Sequence, residues 1–558
     1  MNMRSLWWMA LAFTLLWIWM EWNEFQQVKS LAVATNVESS VTADGVPIAN
    51  QPVSPNNSNN SGVPSATQNT EVPTAKSQMT QAQRIHVKTD VFDIEIDTQG
   101  GDIRKVFLLD YAATEDHSQP FQMMGDSGPM MYIAQSGIAM QPNSILPAPN
   151  HNSVFQTSQT EHVLTGDTLV VPLTWEQDGI RVTKTYTFKR GEYLIGIDYT
   201  IENMTDTDWA GSLYSQIKRN TYDPDHNVMM YTYTGPVLYD GHAENKYVKH
   251  PFDDLDTQPV LSQQTTGGWA AMIQQYFLAA VIPAQDTQNT FFAKPAGGDN
   301  YVVGVVKPLT TIKAGETATL SSDLYIGPII QSTLKDVAPG LELTVDYGFL
   351  TLIATPIFWL LELIYSVIGN WGWSIIVLTI MIKLVFYKLS ETSYRSMARM
   401  KKFQPKLKQL KENYGDDKVI FQKKMIELYK KEKINPLGGC LPILVQMPVF
   451  IALYWVLLYS AEMRQAPWIL WITDLSATDP YFILPVLMGI SMWVQQKLNP
   501  MSMMDEMQQK VMKVLPFIFT IFFIFFPAGL VLYWLVNNIL SVAQQWYITR
   551  KIVSGEEK

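Results

Sequence analysis

The stretch SIIVLTIMIKLVFYKL, Ser374 to Leu389, is apolar over most of the length that a membrane crossing requires, but Lys383 lies inside it. A lysine near the centre of a membrane helix costs at least about 2.5 kcal/mol, so another feature must compensate for it. Its long side chain can reach toward the aqueous surface, or it can face a polar cavity that several helices share. The stretch predicts a transmembrane helix over about 371–389 in which one of these two arrangements accommodates the lysine.

The distribution of charge divides the chain into two unlike halves. Up to about residue 347 there are roughly eighteen more acidic than basic residues, whereas the remainder has about eight more basic than acidic ones. Within the second half, the segment from Lys388 to Lys433 has about fourteen Lys and Arg against six acidic residues. By the positive-inside rule this segment is predicted to be cytoplasmic.

The first 25 residues have the pattern of a membrane anchor. Arg4 precedes an apolar run from Leu6 to Met20, and acidic residues follow the run. Positive charge before the run and negative charge after it predict a cytoplasmic N-terminus and a chain directed outward. Small residues at Ala32–Ala34 leave cleavage open, but they lie about a dozen residues beyond the run. An uncleaved signal anchor over 1–25 is therefore favoured.

Two segments of contrasting composition follow the anchor. Residues 26–84 are rich in Ser, Asn, Thr and Pro, and they cannot bury enough apolar area to offset their chain entropy, so a flexible linker on the outer side of the membrane is predicted. Beyond them come many short runs of alternating apolar and polar residues, such as IRVTKTYTFK from Ile180 to Lys189, with Gly, Asn and Asp between them. This pattern predicts an all-β domain of two packed sheets over 85–335, on the outer side of the membrane.

Parity decides which apolar runs cross the membrane. Two runs, at 345–368 and 371–389, separate the outer β domain from the cytoplasmic segment, so only one of them can span. The first contains Pro356 and Glu362, which favours an amphipathic helix on the outer surface of the membrane. Later runs are predicted to span at about 437–459, 481–496, 511–526 and 528–546.

The resulting prediction is a multi-span α-helical membrane protein with six transmembrane helices, counting the anchor. A cytoplasmic helical hairpin at 390–434 and a cytoplasmic tail at 549–558 complete it. The spans at 481–496 and 511–526 have only about sixteen apolar residues each, or about 24 Å of helix against a hydrocarbon core of about 30 Å. Such short spans predict a locally thinned bilayer.

Polar side chains recur at depth in several of these spans. Thr379 lies four residues before Lys383 on the same helical face, and the later spans contain Gln446, Asn537 and Ser541. Each polar residue alone can be explained by a hydrogen bond between helices. Together with a lysine, they favour a shared, water-filled groove.

The sequence gives little indication of chemistry. Its one cysteine, Cys440, excludes an intramolecular disulfide, and no nucleotide-binding, zinc-protease or serine-hydrolase motif is present. The acidic stretch YDPDHN, Tyr222 to Asn227, misses the EF-hand spacing, so a polar loop is favoured over a calcium site. We therefore expect a protein that is not an enzyme and has no cofactor or metal.

Several ordered blocks together resemble the YidC/Oxa membrane-insertase family of Gram-negative bacteria. The blocks that carry the resemblance include GGWAAMIQQYF (267–277), GNWGWSIIVLTI (369–380), INPLGGCLPILVQMPVFIALYW (434–455) and MQQKVMKVLPFIFTIFFIFFPAGLVLYWLVNN (507–538). The resemblance implies a periplasmic super-sandwich domain and a five-helix insertase core, here 369–548. It also implies a location in the bacterial inner membrane.

The resemblance also implies a function and its site. Insertases of this family help newly synthesised membrane proteins to enter and fold in the bilayer, alone or with the SecYEG translocon, through a hydrophilic groove open to the cytoplasm. The positive charge of that groove corresponds to Lys383, where the family usually has Arg. Paired aromatic residues that contact clients correspond to Tyr533 and Trp534, the second replacing the usual Tyr. The implied partners are nascent membrane proteins, Sec components, the ribosome and membrane lipids.

Two further sets of residues are candidates for contacts with these partners. One set could form an apolar surface along which a client reaches lipid, or could simply face lipid: Met447, Phe450, Tyr454, Phe519 and Phe522. The other set lies in the cytoplasmic hairpin and could bind ribosomal RNA or anionic lipid headgroups, or could only be solvated and set the topology: Arg395, Arg399, Lys401 and Lys402.

Two other functional hypotheses remain open from the sequence. A secondary transporter could use Lys383 to bind an anionic solute, but the inverted repeat typical of such proteins is not found. An outward carbohydrate-binding protein, only anchored by its helices, would lose its function with residues 85–330. The insertase hypothesis predicts that much of the function survives this deletion.

Overall fold

The computed structural model describes residues 83–113, 118–141, 144–223, 232–414, 417–431, 441–498 and 506–553. These residues form two compact units, one ending at Thr344 and the other beginning at Val345, and each is described by itself. The predicted anchor at 1–25, the predicted linker as far as residue 82 and most of the YDPDHN stretch lie outside the described residues.

The first unit contains a large, mostly antiparallel sheet. Its strands pair in the order β13-β16-β17-β10-β5-β3-β2-β1-β6, with β18 beside β10 and β4 beside β3. Its strands are β1 (Arg84–Lys88), β2 (Phe92–Asp97), β3 (Asp102–Ala112), β4 (Pro120–Met124), β5 (Tyr132–Met140), β6 (Glu161–Val163), β10 (Trp209–Asn220), β13 (Val260–Thr266), β16 (Gln288–Pro295), β17 (Asn300–Val306) and β18 (Thr310–Ile312).

A second sheet of the same unit has the order β12-β11-β14-β15-β19-β9-β8-β7. Its strands are β7 (Thr168–Gln177), β8 (Ile180–Lys189), β9 (Leu194–Asn203), β11 (Gly235–Tyr239), β12 (Tyr247–Lys249), β14 (Trp269–Gln274), β15 (Phe277–Ile282) and β19 (Thr317–Pro328). Two short helices, α1 (Phe252–Thr257) and α2 (Gln331–Val337), accompany the sheets.

The alternating sequence pattern explains this architecture. In β8 every second residue from Ile180 to Phe188 is buried, and the intervening residues are partly exposed. A strand with one buried face must pack against another layer. Apolar residues of both sheets accordingly form one hydrophobic core, which includes Ile94, Leu213 and Ile326. The predicted two-sheet β domain is confirmed.

Two oppositely charged side chains lie inside this core. Lys184 and Asp102 are both fully buried. The Lys184 ammonium donates hydrogen bonds to the carbonyl oxygens of Gly100, at 3.0 Å, and Gly101, at 2.8 Å. Asp102 accepts from Gln135 at 2.9 Å. Burial raises the pKa of Asp102 and lowers the pKa of Lys184, and in each case the charge of the other residue opposes the shift.

The second unit is helical throughout its regular structure. Its helices are α3 (Thr351–Ile368), α4 (Trp371–Val385), α5 (Tyr387–Lys402), α6 (Gln404–Tyr414), α7 (Lys418–Lys431), α8 (Leu441–Tyr459), α9 (Ile483–Leu498), α10 (Glu506–Phe523) and α11 (Ala528–Val553). Helices α9 and α10 approach closely where Gly489 meets Thr520, because glycine has no side chain to separate them.

The helix lengths bear on the predicted spans. Within the described residues, α3 is the one helix that is by itself long and apolar enough to cross a membrane. Helix α4 and the start of α5, as far as Ala398, would form a second span if the 67° bend between them lies within it. Helix α4 alone has 15 residues and α9 has 16. The count of six spans and the surface location of α3 stay predictions.

The predicted cytoplasmic hairpin corresponds to three helices. Helix α5 begins at Tyr387 and is separated from α6 by a break at Phe403. The hairpin itself is formed by α6 and α7, which pack through the buried side chains of Leu407 and Tyr429. Asp417 caps α7 by accepting from the backbone N–H groups of Val419 and Ile420 at 2.9 and 3.0 Å. The second helix of the hairpin thus begins with a side-chain cap.

A buried carboxyl group lies just beyond the end of α8. Glu462 belongs to a short 3-10 helix, Ala461–Met463, and its Oε1 atom is buried with no hydrogen-bond partner among the described residues. Burial raises the pKa of Glu462 to about 7, and the negative charge of Glu362 on α3 adds to the shift. Below this pKa the side chain is neutral, so its burial costs less than that of a carboxylate.

The Glu462→Gln substitution is expected to flatten the pH dependence of stability. An acid whose pKa is higher in the folded state favours folding at low pH, and this contribution is lost as pH rises from the unfolded value through the folded one. For Glu462 the window runs from 4.5 to about 7, and the lost stability is about 1–3 kcal/mol. Thermal unfolding of the wild type and the variant in detergent at pH 5 and pH 8 measures it. If Tm changed by the same amount between pH 5 and pH 8 in the wild type and the variant, the raised pKa assigned to Glu462 would be wrong.

Candidate functional site

Lys383 lies near the end of α4 and is directed into the helical unit. Its side chain is 8% exposed, and its ammonium donates a hydrogen bond to the hydroxyl of Ser541 on α11 at 2.7 Å. The chain bends by 67° immediately after α4. The lysine is therefore held against another helix rather than extended into solvent.

Ser541 connects this lysine to two other parts of the unit. Its hydroxyl donates to the carbonyl oxygen of Asn537, one turn earlier on α11, at 2.7 Å. The buried phenol of Tyr394, on α5, interacts with the same hydroxyl. We call Lys383, Ser541 and Tyr394 the Lys383 cluster. It joins α4, α5 and α11.

The other polar residues predicted for the groove have different surroundings. Thr379 is buried one turn before Lys383 on α4, and its hydroxyl donates to the carbonyl oxygen of Ile375 at 2.6 Å. The predicted polar stripe on α4 is thus present, although Thr379 satisfies its hydroxyl within its own helix. In the described part of the chain, no hydrogen bond joins the partly exposed Gln446 of α8 to the Lys383 cluster.

Further hydrogen bonds attach α11 to its neighbours. The buried Asn538 donates to the hydroxyl of Ser491 on α9 at 3.3 Å, and Gln544 donates to the carbonyl oxygen of Tyr387 on α5 at 3.3 Å. Asn537 is only partly buried, and its backbone accepts the bond from Ser541. Polar contacts therefore run along much of α11.

The predicted aromatic residues meet in a separate cluster. The Phe450 ring on α8 lies 6.1 Å from that of Tyr533, nearly parallel to it, and 4.5 Å from that of Trp534, edge-on. Phe523 of α10 lies 5.4 Å from Trp534. We call Phe450, Phe523, Tyr533 and Trp534 the aromatic cluster. It lies about two helical turns, or roughly 11 Å, from Ser541 along α11.

The residues predicted to form an apolar surface are divided between packed and exposed positions. Met447 is 42% exposed and Phe522 is 44% exposed. Tyr454 lies 6.2 Å from Phe526, and Phe519 lies 6.4 Å from Phe522. The exposed members leave apolar area uncovered beside the aromatic cluster.

The basic residues predicted for the hairpin lie on α5. Arg395 is paired with Glu391 at 2.7 Å, one turn earlier. The side chains of Arg399, Lys401 and Lys402 lie outside the described part of the structure. The ion pair reduces the charge that Arg395 can offer to a partner.

Two contacts of this site were not anticipated from the sequence. Tyr394 follows Lys383 by eleven residues, and only the bend after α4 brings both to Ser541. The sequence did not indicate the contact between Ser491 and Asn538, because a single serine in an apolar run is common. The sequence feature that came nearest to indicating these contacts is the four-residue spacing of Asn537 and Ser541, which places the two side chains on one face of α11.

Comparisons with known proteins agree with the motif resemblance. The family model "YidC periplasmic domain" matches residues 84–360, and the model "60Kd inner membrane protein" matches residues 363–556. A YidC membrane protein insertase of Thioalkalivibrio sulfidiphilus is 48% identical over all of this chain and all of its own length. The chain belongs to the YidC membrane protein insertase family. The resemblance drawn from the sequence blocks is confirmed.

Other YidC insertases are similar to this chain over most of their length, and two solved structures also match part of it. The protein of Methylococcus capsulatus is 48% identical over 87% of this chain and 88% of its own, and that of Pseudomonas putida is 46% identical over 97% and 96%. A crystal structure of an active YidC insertase with its first transmembrane domain resolved has a TM-score of 0.39 and 16% identity, covering 83% of this chain and 92% of its own. A galactose mutarotase related enzyme of Lactobacillus acidophilus has a TM-score of 0.31 and 9% identity, covering 44% and 97%.

Proposed function

We propose that this chain inserts newly made proteins into the bacterial inner membrane through a polar groove centred on Lys383. Membership of the YidC family supports insertion as the activity. The observation that supports the site is the bond from Lys383 to a hydroxyl group, with no carboxylate among the described residues acting on its charge. A cation that has no counter-ion among the described residues is available to the carboxylates of a client.

The physical task of the groove is to shorten the path of a polar segment through hydrocarbon. A hydrophilic tail that meets the full thickness of lipid must lose its hydration, which is the main cost of insertion. Helix α4, at 15 residues, is about 22 Å long, against a hydrocarbon core of about 30 Å. Short helices around the groove would thin the bilayer, and water around Lys383 would hydrate the tail partway across.

The aromatic cluster supports a second step, in which the client leaves for lipid. Phe522 and Met447 present exposed apolar surface near it. A hydrophobic client helix gains free energy by moving along such a surface into the acyl chains. The membrane potential acts in the same direction on a negatively charged tail.

The proposed topology follows from charge and parity. The N-terminus, the α5–α7 segment and the tail would be cytoplasmic, and the β domain would lie in the periplasm. Six spans, five of them in the core, satisfy this arrangement if α3 lies on the periplasmic surface. Exposed apolar side chains on α3, including Leu352, Trp359 and Val367, suit a helix in contact with lipid.

The proposed partners are nascent membrane proteins, SecYEG, the ribosome and membrane lipids. The basic α5–α7 segment would supply the contact with ribosomal RNA or lipid headgroups, because its excess of Lys and Arg attracts phosphate. The curated relatives are named as insertases, which supports insertion over solute transport or anchored carbohydrate binding.

Site-specific crosslinking tests the proposed groove. A photoreactive residue at Thr379, Gln446 or Tyr533 is expected to crosslink to a nascent membrane protein on stalled ribosomes. Leu384 is the control position, because it neighbours Lys383 but is 66% exposed on another face of α4. Crosslinks from Leu384 but from none of the three groove positions would argue strongly against this site.

A further inference from the structure

The hydroxyl of Ser541 uses its hydrogen-bonding capacity entirely within the protein. A serine hydroxyl can donate once and accept twice. Ser541 donates to the carbonyl oxygen of Asn537 at 2.7 Å and accepts from the Lys383 ammonium at 2.7 Å, and Tyr394 interacts with it as well. Because its own proton is directed along α11, the lone pairs of Ser541 face the lysine.

All three side chains of the Lys383 cluster are buried, which restricts where the ammonium can lie. Ser541 is 4% exposed, Tyr394 is 7% exposed and Lys383 is 8% exposed. A lysine side chain has a flexible stem and loses considerable freedom when its head is fixed. Lys383 is only two residues from the end of α4, so its unattached ammonium could extend past the helix end toward water. The bond to Ser541 opposes that movement.

We propose that Ser541 is a positioning residue, which holds the Lys383 ammonium against α11 so that it can receive acidic segments of clients. This inference rests on the proposed insertase groove. It adds that the position of the Lys383 ammonium, and not only its positive charge, determines how well acidic clients are inserted. An approaching carboxylate would bind an ammonium that is already fixed, so less freedom is lost on binding.

The test compares two matched clients in proteoliposomes that contain the purified full-length chain. The clients differ only in the tail to be translocated, which carries Asp in one and Asn in the other. Insertion is measured by protection from protease. Ser541→Ala is expected to reduce insertion of the Asp client about ten-fold, as for loss of a hydrogen bond to a charged group, and to leave the Asn client within about two-fold.

Conservative variants separate positioning from packing. Ser541→Thr keeps the hydroxyl and is expected to retain most insertion of the Asp client. Ser541→Cys keeps the size of the side chain but accepts hydrogen bonds only weakly, so it should show the same selective loss as Ser541→Ala. The cysteine variant also provides the test if Ser541→Ala does not fold.

A double-mutant cycle completes the argument. If Ser541 acts through Lys383, adding Ser541→Ala to Lys383→Met should cause no further loss with the Asp client. Equal losses for both clients, additive losses in the cycle, or no loss in Ser541→Ala would each overturn the positioning role while leaving the groove in place. The groove proposal itself fails by a different result, which is full insertion of the Asp client by Lys383→Met.

Discussion

Lys383→Glu is expected to reduce insertion of clients with acidic tails by at least about ten-fold, because bringing like charges together where client and groove meet costs several kcal/mol. The ammonium is buried and bonded to Ser541, and no described carboxylate acts on its charge. Reversing the charge therefore replaces an attraction with a repulsion at the point where the tail enters. Insertion assays in inverted membrane vesicles, with acidic and neutral tails, measure the effect.

Lys383→Arg is the matched control for that experiment. Arginine keeps the positive charge and has several donors, so it can still bond to the Ser541 hydroxyl, although its planar group differs in shape from an ammonium. We expect it to retain most insertion of both clients. If Lys383→Glu and Lys383→Arg inserted the acidic client equally well, the attraction of the tail by this charge would have to be given up.

The sequence predicts the position of this charge better than it predicts its surroundings. Periodicity places Thr379 and Lys383 on one face of a helix, and the structure has both of them buried on α4. The helix, however, ends at Val385, and a bend separates it from α5. The pattern could not give the bend, because Val385, Phe386 and Tyr387 continue the apolar run and no Gly or Pro marks a helix end there. The pairing with Ser541 is a contact between residues 158 positions apart, which no local pattern specifies.

In the β domain, too, the local pattern predicts which residues are buried but not which distant residues they contact. Alternation within each strand predicts the two buried faces, whereas the order of strands depends on distant pairings, such as the parallel contact between β1 and β6. Lys184 is an instructive case. It lies in the buried phase of β8, between Val182 and Tyr186, so the pattern placed a charge in the core. The sequence alone could not name the carbonyl groups and the carboxylate that surround it.

Lys184→Met is expected to destabilise the β domain by about 3 kcal/mol, since the buried carboxylate of Asp102 would lose one of the two cations that act on it. Methionine fills a similar volume but cannot donate to the carbonyl oxygens of Gly100 and Gly101. Asp102 would keep its contacts with Gln135 and Arg104, so part of its charge would stay balanced. Hydrogen exchange of peptides from β8 and the Gly100–Asp102 turn in the full-length protein measures the loss.

Lys189→Met provides the control on the same strand. Its side chain is 60% exposed and lies 3.7 Å from Glu192, so its removal should change stability by no more than about 0.5 kcal/mol. A second comparison separates charge from packing. If the cost comes from a buried carboxylate that has lost part of its compensation, adding Asp102→Asn to Lys184→Met should recover part of the lost protection, because an amide is much less costly to bury than an ion. Similar exchange in the two lysine variants would instead mean that water reaches Lys184 and that its charge costs little to bury.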